Sequence, residues 1–190
     1  AADRTFAARD AAGADVRRAV SDTAPLAACV WKTVADQFAG RITLFRVYQG
    51  VLTSDSTVRN ATRDLDERVG SLMLMQGKTP VPGPEVRAGD LGAVAKLKES
   101  RTGDTLATAK ADVTFAPMPS PEPVLSYAIE PKTRGDEDKI STAMHRLEEE
   151  DGAIHYARDP NTNELHLSGQ GQLHIEVTVA KLKRRFGVDV

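Results

Sequence analysis

The chain has 190 residues, and its 25 Lys and Arg nearly balance its 27 Asp and Glu, which gives a formal net charge of −2. This balance excludes a bulk basic surface for nucleic acid, so any contact with a polyanion has to be local. The single cysteine, Cys29, excludes an internal disulfide framework and a cysteine-rich zinc module, and it favours a reducing, cytoplasmic compartment.

Residues 1–23 are rich in Ala, Asp and Arg, and their apolar residues Val16 and Val20 stand alone without a sustained period. This composition is typical of a linker or of the remnant of a preceding domain. We therefore predict no fold of its own for this segment.

Residues 24–117 contain short β-prone runs separated by Gly, Asn, Asp and Pro. Such runs predict the strands of a small antiparallel β-barrel. In the run RITLFRVY, alternation places Ile42 and Leu44 on one face and Thr43, Phe45 and Val47 on the other. Both faces carry apolar groups, so we expect this strand to be covered on both sides.

Alternating prolines at positions 117, 119, 121 and 123 mark the clearest boundary in the chain. Proline removes an amide donor and holds the backbone extended, so residues 118–123 are predicted to be a stiff linker. A second domain is predicted over residues 124–190.

The second domain begins with a strand-like run, VLSYAIEP, followed by a predicted helix from Asp136 to Glu150 with Asp136 as its N-cap. A hairpin of AIHYARD and ELHLSG follows. Residues 171–188 alternate like a strand but also fit two helical stripes, and the basic residues before Gly187 favour a helix. With a terminal strand at Val188, this order predicts a ferredoxin-like split βαβ sandwich.

The sequence predicts no catalytic residue and no metal site. Gly77-Lys78-Thr79 is similar to the end of a phosphate-binding loop, but Leu72 occupies the position of its first glycine. The four histidines lack ligand spacing and are interpreted as satisfied or surface imidazoles, although a metal- or ligand-binding enzyme domain around them is a third possibility. These histidines are His145, His155, His166 and His174.

Two groups of cations could contact a phosphate backbone. The first, in or beside the predicted barrel strands, consists of Lys32, Arg41, Arg46, Arg59 and Lys78; the second, near the end of the last helix, consists of Lys181, Lys183, Arg184 and Arg185. Solubility and the helix dipole also explain the same residues, and both interpretations stay open.

Five spaced blocks, in order, strongly resemble the second and third domains of bacterial elongation factor G. They are PLAACVWKTVADQFAGRITLFRVYQGVL, VRNATRDLDERVGSLMLMQGK, EVRAGDLGAVAKLKESRTGDTL, PKTRGDEDKISTAMHRLEEED and GQGQLHIEVTVAKLKRRFGVDV. The resemblance covers about Pro25 to Val190. It implies a translation-type β-barrel followed by a ferredoxin-like domain, in agreement with the patterns above.

The resemblance also implies a function in protein biosynthesis. The parent would be a translational GTPase that binds GTP and Mg²⁺ in a domain outside this chain. In the family, the barrel docks on small-subunit rRNA, and the third domain lies between the GTPase domain, a small-subunit ribosomal protein and the later domains. We therefore expect a non-catalytic part that docks on the ribosome and couples domains, of translocation or recycling type. The alternative is a protein-interaction module of a paralogue that does not translocate.

Matching positions give the resemblance its candidate residues. Lys32, Arg41 and Arg46 match blocks of the family's barrel, and together with Arg59 and Lys78 they are the candidates for rRNA contact. In the third domain, Asp151 and His174 match positions that line the interdomain pocket of fusidic-acid-type inhibitors. Lys132, Asp136 and Lys139 match the P-K…D-x-x-K block.

Three departures from the family pattern are typical of a paralogue of the housekeeping translocase. Gly152 stands where the family has Pro, and Gln172 stands where it has Glu. The segment Thr79-Pro80-Val81-Pro82-Gly83-Pro84 replaces an acidic stretch of the barrel.

Overall fold

A computed structural model describes residues 4–36, 40–77, 79–108, 113–132 and 137–190 of the chain. The chain divides into two compact units, Ala1–Met118 and Pro119–Val190. The candidates Lys78 and Asp136 lie outside the described residues. The fold class is the predicted one, a β-barrel followed by a ferredoxin-like α+β domain.

The first unit is built from short antiparallel strands. They are β1 (Thr5–Asp10), β2 (Asp15–Ala19), β3 (Ala27–Asp36), β4 (Gly40–Gln49), β5 (Val51–Thr53), β6 (Thr57–Asn60), β7 (Leu65–Arg68), β8 (Leu72–Gln76), β9 (Thr79–Gly83), β10 (Glu85–Arg87), β11 (Leu91–Ala95), β12 (Thr105–Ala107) and β13 (Val113–Thr114). Eight of them form one sheet in the order β7-β6-β12-β3-β4-β11-β8-β9, and β5 pairs with β10.

The core of this unit lies on the inward face of the long strands. Thr43, Phe45 and Val47 of β4 are fully buried, whereas Ile42 and Leu44 lie on the outer face and are half-buried. The predicted division of this strand into two faces is confirmed. Phe45 packs in a cluster that joins the eight-stranded sheet to the β5–β10 pair, with Val30, Leu52, Val58, Leu72, Val86 and Leu106 among its members.

Residues 5–19 form a hairpin, so the expectation that residues 1–23 have no fold of their own is wrong for this part. Strand β1 pairs with β2 from Thr5↔Ala19 to Arg9↔Asp15, and β13 pairs with the other edge of β1. The physical reason is Phe6, whose ring centroid lies 5.0 Å from that of Tyr48 and 5.6 Å from that of Phe115. One aromatic side chain anchors an otherwise Ala-rich segment.

The second unit contains β14 (Leu125–Ile129), α1 (Glu137–Glu150), β15 (His155–Arg158), β16 (Leu165–Gly169) and α2 (Gln172–Lys181), which continues into a π-helical turn (Leu182–Phe186). Its sheet has the order β14-β16-β15 with antiparallel pairing. The helices cover one core, with Ile140, Met144, Leu147, Leu167 and Leu182 fully buried.

The helix predicted over the ambiguous segment is confirmed, and only one of its two apolar stripes packs inward. Ile175 and Leu182 are buried, with Val179 and Phe186 packed against the same cluster. Leu173 and Val177 of the other stripe are 72% and 44% exposed.

The predicted terminal strand at Val188 is wrong. Val188 is buried, and its N–H lies 3.4 Å from the Leu182 oxygen, while the N–H of Gly187 donates to the Lys183 oxygen at 3.1 Å. Gly187 has a left-handed φ of 68°, which glycine adopts at low cost at a helix C-terminus. Residues 187 and 188 therefore end the helix instead of extending the sheet.

We predict that Gly92→Ala destabilises the barrel. A Cβ at this position would lie 2.7 Å from both Phe45 Cζ and Val86 Cγ2, so the core would have to move. Overpacking of this kind costs about 1–3 kcal/mol of unfolding free energy. Urea denaturation followed by the fluorescence of Trp31, the only tryptophan, measures the change.

Gly70→Ala is the matched control, because a Cβ there meets no atom within 4 Å. Equal midpoints for the two variants would contradict the predicted close contact at Gly92.

Candidate functional site

Two of the predicted rRNA-contact residues, Lys32 and Arg46, lie on the outer face of the β3–β4 pair. Lys32 pairs in register with Leu44, and Arg46 pairs with Cys29 on one side and Leu91 on the other. The register shifts between Val30 and Lys32, a β-bulge that leaves both Trp31 and Lys32 exposed. Within the described part of the chain, Lys32 has no ion-pair or hydrogen-bond partner, so its charge is available.

Arg46 is oriented by an aromatic ring. Its guanidinium carbon lies 5.3 Å from the centroid of the Tyr48 ring, a cation–π distance. Tyr48 is itself fixed by Phe115, with 4.9 Å between ring centroids, and by Phe6. The buried Nε of Arg46 has no hydrogen-bond partner among the described residues.

The other described cations of this group are held by partners within the barrel unit. Arg41 Nη1 donates to the carbonyl oxygens of Lys98 at 2.7 Å and Ser100 at 3.3 Å, which fixes the loop after β11. Arg59 forms ion pairs with Asp64 and, at 3.8 Å, with Asp66. Arg41 and Arg59 therefore have structural roles, and their contact with rRNA stays a prediction.

An apolar groove of about 510 Å³ lies beside Lys32 and Arg46 on the same outer face. Its lining includes Trp31, Val34, Ile42, Leu44, Met75 and Leu91. Trp31 is 41% exposed and Leu91 is 56% exposed, so these apolar side chains are open to solvent. The outer face thus combines the cations Lys32 and Arg46 with exposed apolar area.

A buried polar network that sequence reasoning missed links Glu67 and Asp104 to their neighbours in the barrel unit. Glu67 accepts hydrogen bonds from the N–H of Lys98 at 3.0 Å and from Ser100 Oγ at 2.9 Å. Asp104 accepts from Asn60 Nδ2 at 2.8 Å and Arg63 Nε at 2.7 Å.

Both carboxylates of this network are surrounded by donors, which is how a buried charge is tolerated. Burial, followed by the nearby charge of Asp104, raises the pKa of the Cys29 thiol. In the sequence, the one feature that pointed to this network was Asp104, which lies in the T-G-D-T-L turn.

In the second unit, the structure brings the candidates Asp151 and His174 together. Asp151 Oδ2 lies 3.1 Å from His174 Nε2, and the N–H of Gln170 donates to His174 Nδ1 at 3.2 Å. Because Nδ1 accepts, Nε2 carries the proton and donates to the carboxylate. The pair joins the end of α1 to the start of α2.

The Pro-rich segment reaches the same region. Gln170 Nε2 donates to the carbonyl oxygens of Glu122 at 2.5 Å and Pro121 at 3.3 Å. Residues 115–124 form no helix or strand, and Gln170 holds this part of the segment against the second unit. Gly152 follows Asp151, and a Cβ there would lie 2.4 Å from Ser120 Oγ. A side chain at position 152 would therefore require the Ser120 hydroxyl to rotate.

The acidic and basic helix ends of this unit pair with each other. Glu150, at the end of α1, binds Arg185 Nη1 at 2.9 Å and lies 3.9 Å from Lys181 Nζ. Lys183 binds Asp189 at 2.9 Å, and the candidate Lys132 binds the same carboxylate at 3.1 Å. Three of the four cations near the end of the last helix, Lys181, Lys183 and Arg185, are therefore paired with carboxylates of this unit. The candidate Lys139 lies exposed in α1.

No group of three or more His, Cys, Asp or Glu residues in the described ranges is placed to hold a metal ion. Gly77 and Thr79 lie at the turn between β8 and β9, and the second strand of that hairpin follows instead of the helix that a phosphate-binding loop needs. Among the described helices, none is long and apolar enough to cross a membrane.

Comparisons with known proteins agree with the two units. Residues 40–107 match the family Elongation factor Tu domain 2, and residues 120–190 match Elongation Factor G, domain III. The chain is elongation factor G-like. Its first unit contains domain 2, and its second unit is domain III. A crystal structure of a protein from Thermus thermophilus is 29% identical with a TM-score of 0.76, and the match covers 87% of this chain and 25% of that one.

We predict that the C-terminal residues of the elongation factor G-like chain loosen at acid pH. Hydrogen bonds from Lys183 and then Lys132 lower the pKa of the Asp189 carboxyl below its ordinary value of 3.8. A lowered pKa in the folded state means that the stabilisation is present above the ordinary value and is lost as the pH falls through the folded value.

The N–H of Lys132 donates to the main-chain carbonyl oxygen of Asp189 at 3.1 Å, so exchange of this amide reports on whether the C-terminal residues stay in place. We expect Asp189→Asn to speed hydrogen exchange at this amide at neutral pH, where the carboxylate is charged in the unaltered chain. Asp159→Asn is the control, since Asp159 also has a lowered pKa but binds only its own turn, through Asn161 and Thr162. Equal exchange in all three chains would contradict the prediction.

Proposed function

We propose that this chain is the ribosome-docking and interdomain-coupling part of an elongation factor G-like translation GTPase. The observation that carries the proposal is the free Lys32 next to Arg46 on the outer face of a barrel of elongation factor type. Phosphate contacts by such cations position a protein on RNA without reading its sequence. The partner is small-subunit rRNA, in the cytoplasm.

The second unit would supply the coupling. GTP and Mg²⁺ would be bound by a separate domain of the parent protein, and this chain would transmit that domain's state without catalysing a reaction. The Asp151–His174 pair is proposed to face that domain and a small-subunit protein. Lys132, which precedes α1, and Lys139, in the first turn of α1, are proposed to take part in the same contacts. Two compact units joined by a Pro-rich segment suit a relay between conformational states.

The second candidate function is a protein-interaction module of a paralogue that does not translocate. The observation that favours it is the exposed apolar groove at Trp31 and Leu91, because large exposed apolar patches mark sites of protein contact. In that case the cations beside the groove would serve solubility alone.

Co-sedimentation with small ribosomal subunits over a salt series separates the two functions. We expect Lys32→Glu to weaken binding and to reduce the slope of log affinity against log salt by about 1, the value for one lost phosphate contact. Arg46→Gln should act in the same direction with a smaller charge change.

Arg68→Glu is the matched control, since Arg68 is an exposed cation on β7 and the substitution makes the same charge change as Lys32→Glu. If the affinity for small subunits does not change with salt and is the same for Lys32→Glu, Arg46→Gln and Arg68→Glu as for the unaltered chain, docking by phosphate contacts is contradicted and the interaction module is supported.

A further inference from the structure

The β8–β9 hairpin presents an exposed strand edge. In the part of the barrel unit that the structure describes, β9 is the last strand of the eight-stranded sheet and pairs only with β8. Most of the hairpin lies in solvent, with Leu74 39% and Met75 36% exposed. An apolar edge of this kind is a ready template for another strand.

Proline occupies alternate positions of this edge. Pro82 pairs with Met73 and Pro80 pairs with Met75, while Thr79, Val81 and Gly83 occupy the positions between and beside them. Proline has no N–H, so it cannot donate to β8, and the donors of the β8–β9 ladder come from the other three residues. The amide positions that point away from β8 are therefore those of Pro80 and Pro82.

Two other edge strands of the barrel unit, β7 and β2, carry charges instead. Asp66 and Arg68 are exposed on the edge strand β7, and Asp15 and Arg17 are exposed on β2, at the edge of the small sheet. Strand β9, TPVPG, contains no charged residue. Charges and prolines are two of the usual ways to protect a strand edge, and of these β9 has only proline.

We propose that Pro80 and Pro82 block the addition of a second copy of this chain to β9. A partner strand in antiparallel pairing needs donors from the outward positions of the edge, and these two positions supply none. The neighbouring exposed side chains, Leu74 and Met75, would otherwise favour association by apolar contact. This inference does not depend on the proposed function.

The test is the double substitution Pro80→Thr with Pro82→Thr in the whole chain. Threonine restores both N–H donors, favours strands and adds no charge. Sedimentation velocity should show a monomer for the unaltered chain and concentration-dependent association for the double variant. The single substitutions, Pro80→Thr and Pro82→Thr, should give intermediate association and remain informative if the double variant folds poorly.

Pro117→Thr with Pro119→Thr is the matched control, because both prolines are exposed and lie outside strands. Hydrogen exchange distinguishes the mechanism, since strand addition must protect the amides introduced at positions 80 and 82. The proposal is overturned if the folded Pro80 and Pro82 variants stay monomeric, if they associate without protecting those amides, or if the control associates equally.

Discussion

The pairing of β3 with β4 is the interaction on which the barrel unit depends. Two ten-residue strands run antiparallel, and each also pairs with a further strand, β12 on one side and β11 on the other. Their inward side chains, including Val30, Phe45 and Val47, build the barrel core, and their outward side chains include Lys32 and Arg46. A single strand pair thus positions the core and the candidate docking surface together.

The sequence predicted the barrel well because strand alternation directly reflects which side chains are buried. Thr43, Phe45 and Val47 were assigned to one face from their spacing alone, and all three are buried. It failed over residues 5–19, where a strand pair is stabilised by contacts of Phe6 with Tyr48 and Phe115, which are distant in the chain. Local patterns carry no information about such long-range packing.

The candidate site was only partly predictable, for a related reason. Residue type identified Lys32 and Arg46 as candidates, and it identified Arg41 in the same way. The Arg41 guanidinium, however, donates to backbone carbonyl oxygens of a loop more than fifty residues away in the chain. The Asp151–His174 pair came from resemblance, since neither its spacing nor its composition marks a contact across 23 residues. The Glu67 and Asp104 network had no usable pattern, because buried acids look like surface acids in a sequence.

The bulge at Trp31 shifts the inward–outward alternation of side chains along β3 by one residue. One extra residue allows Trp31 and Lys32 to point outward in succession, after which Thr33 returns to the interior. Insertion or loss of one residue elsewhere in this strand would exchange core and surface along its remaining length. Substitutions on the outer face leave the interior packing untouched, so its charge and apolar character can diverge between paralogues while the barrel architecture is retained.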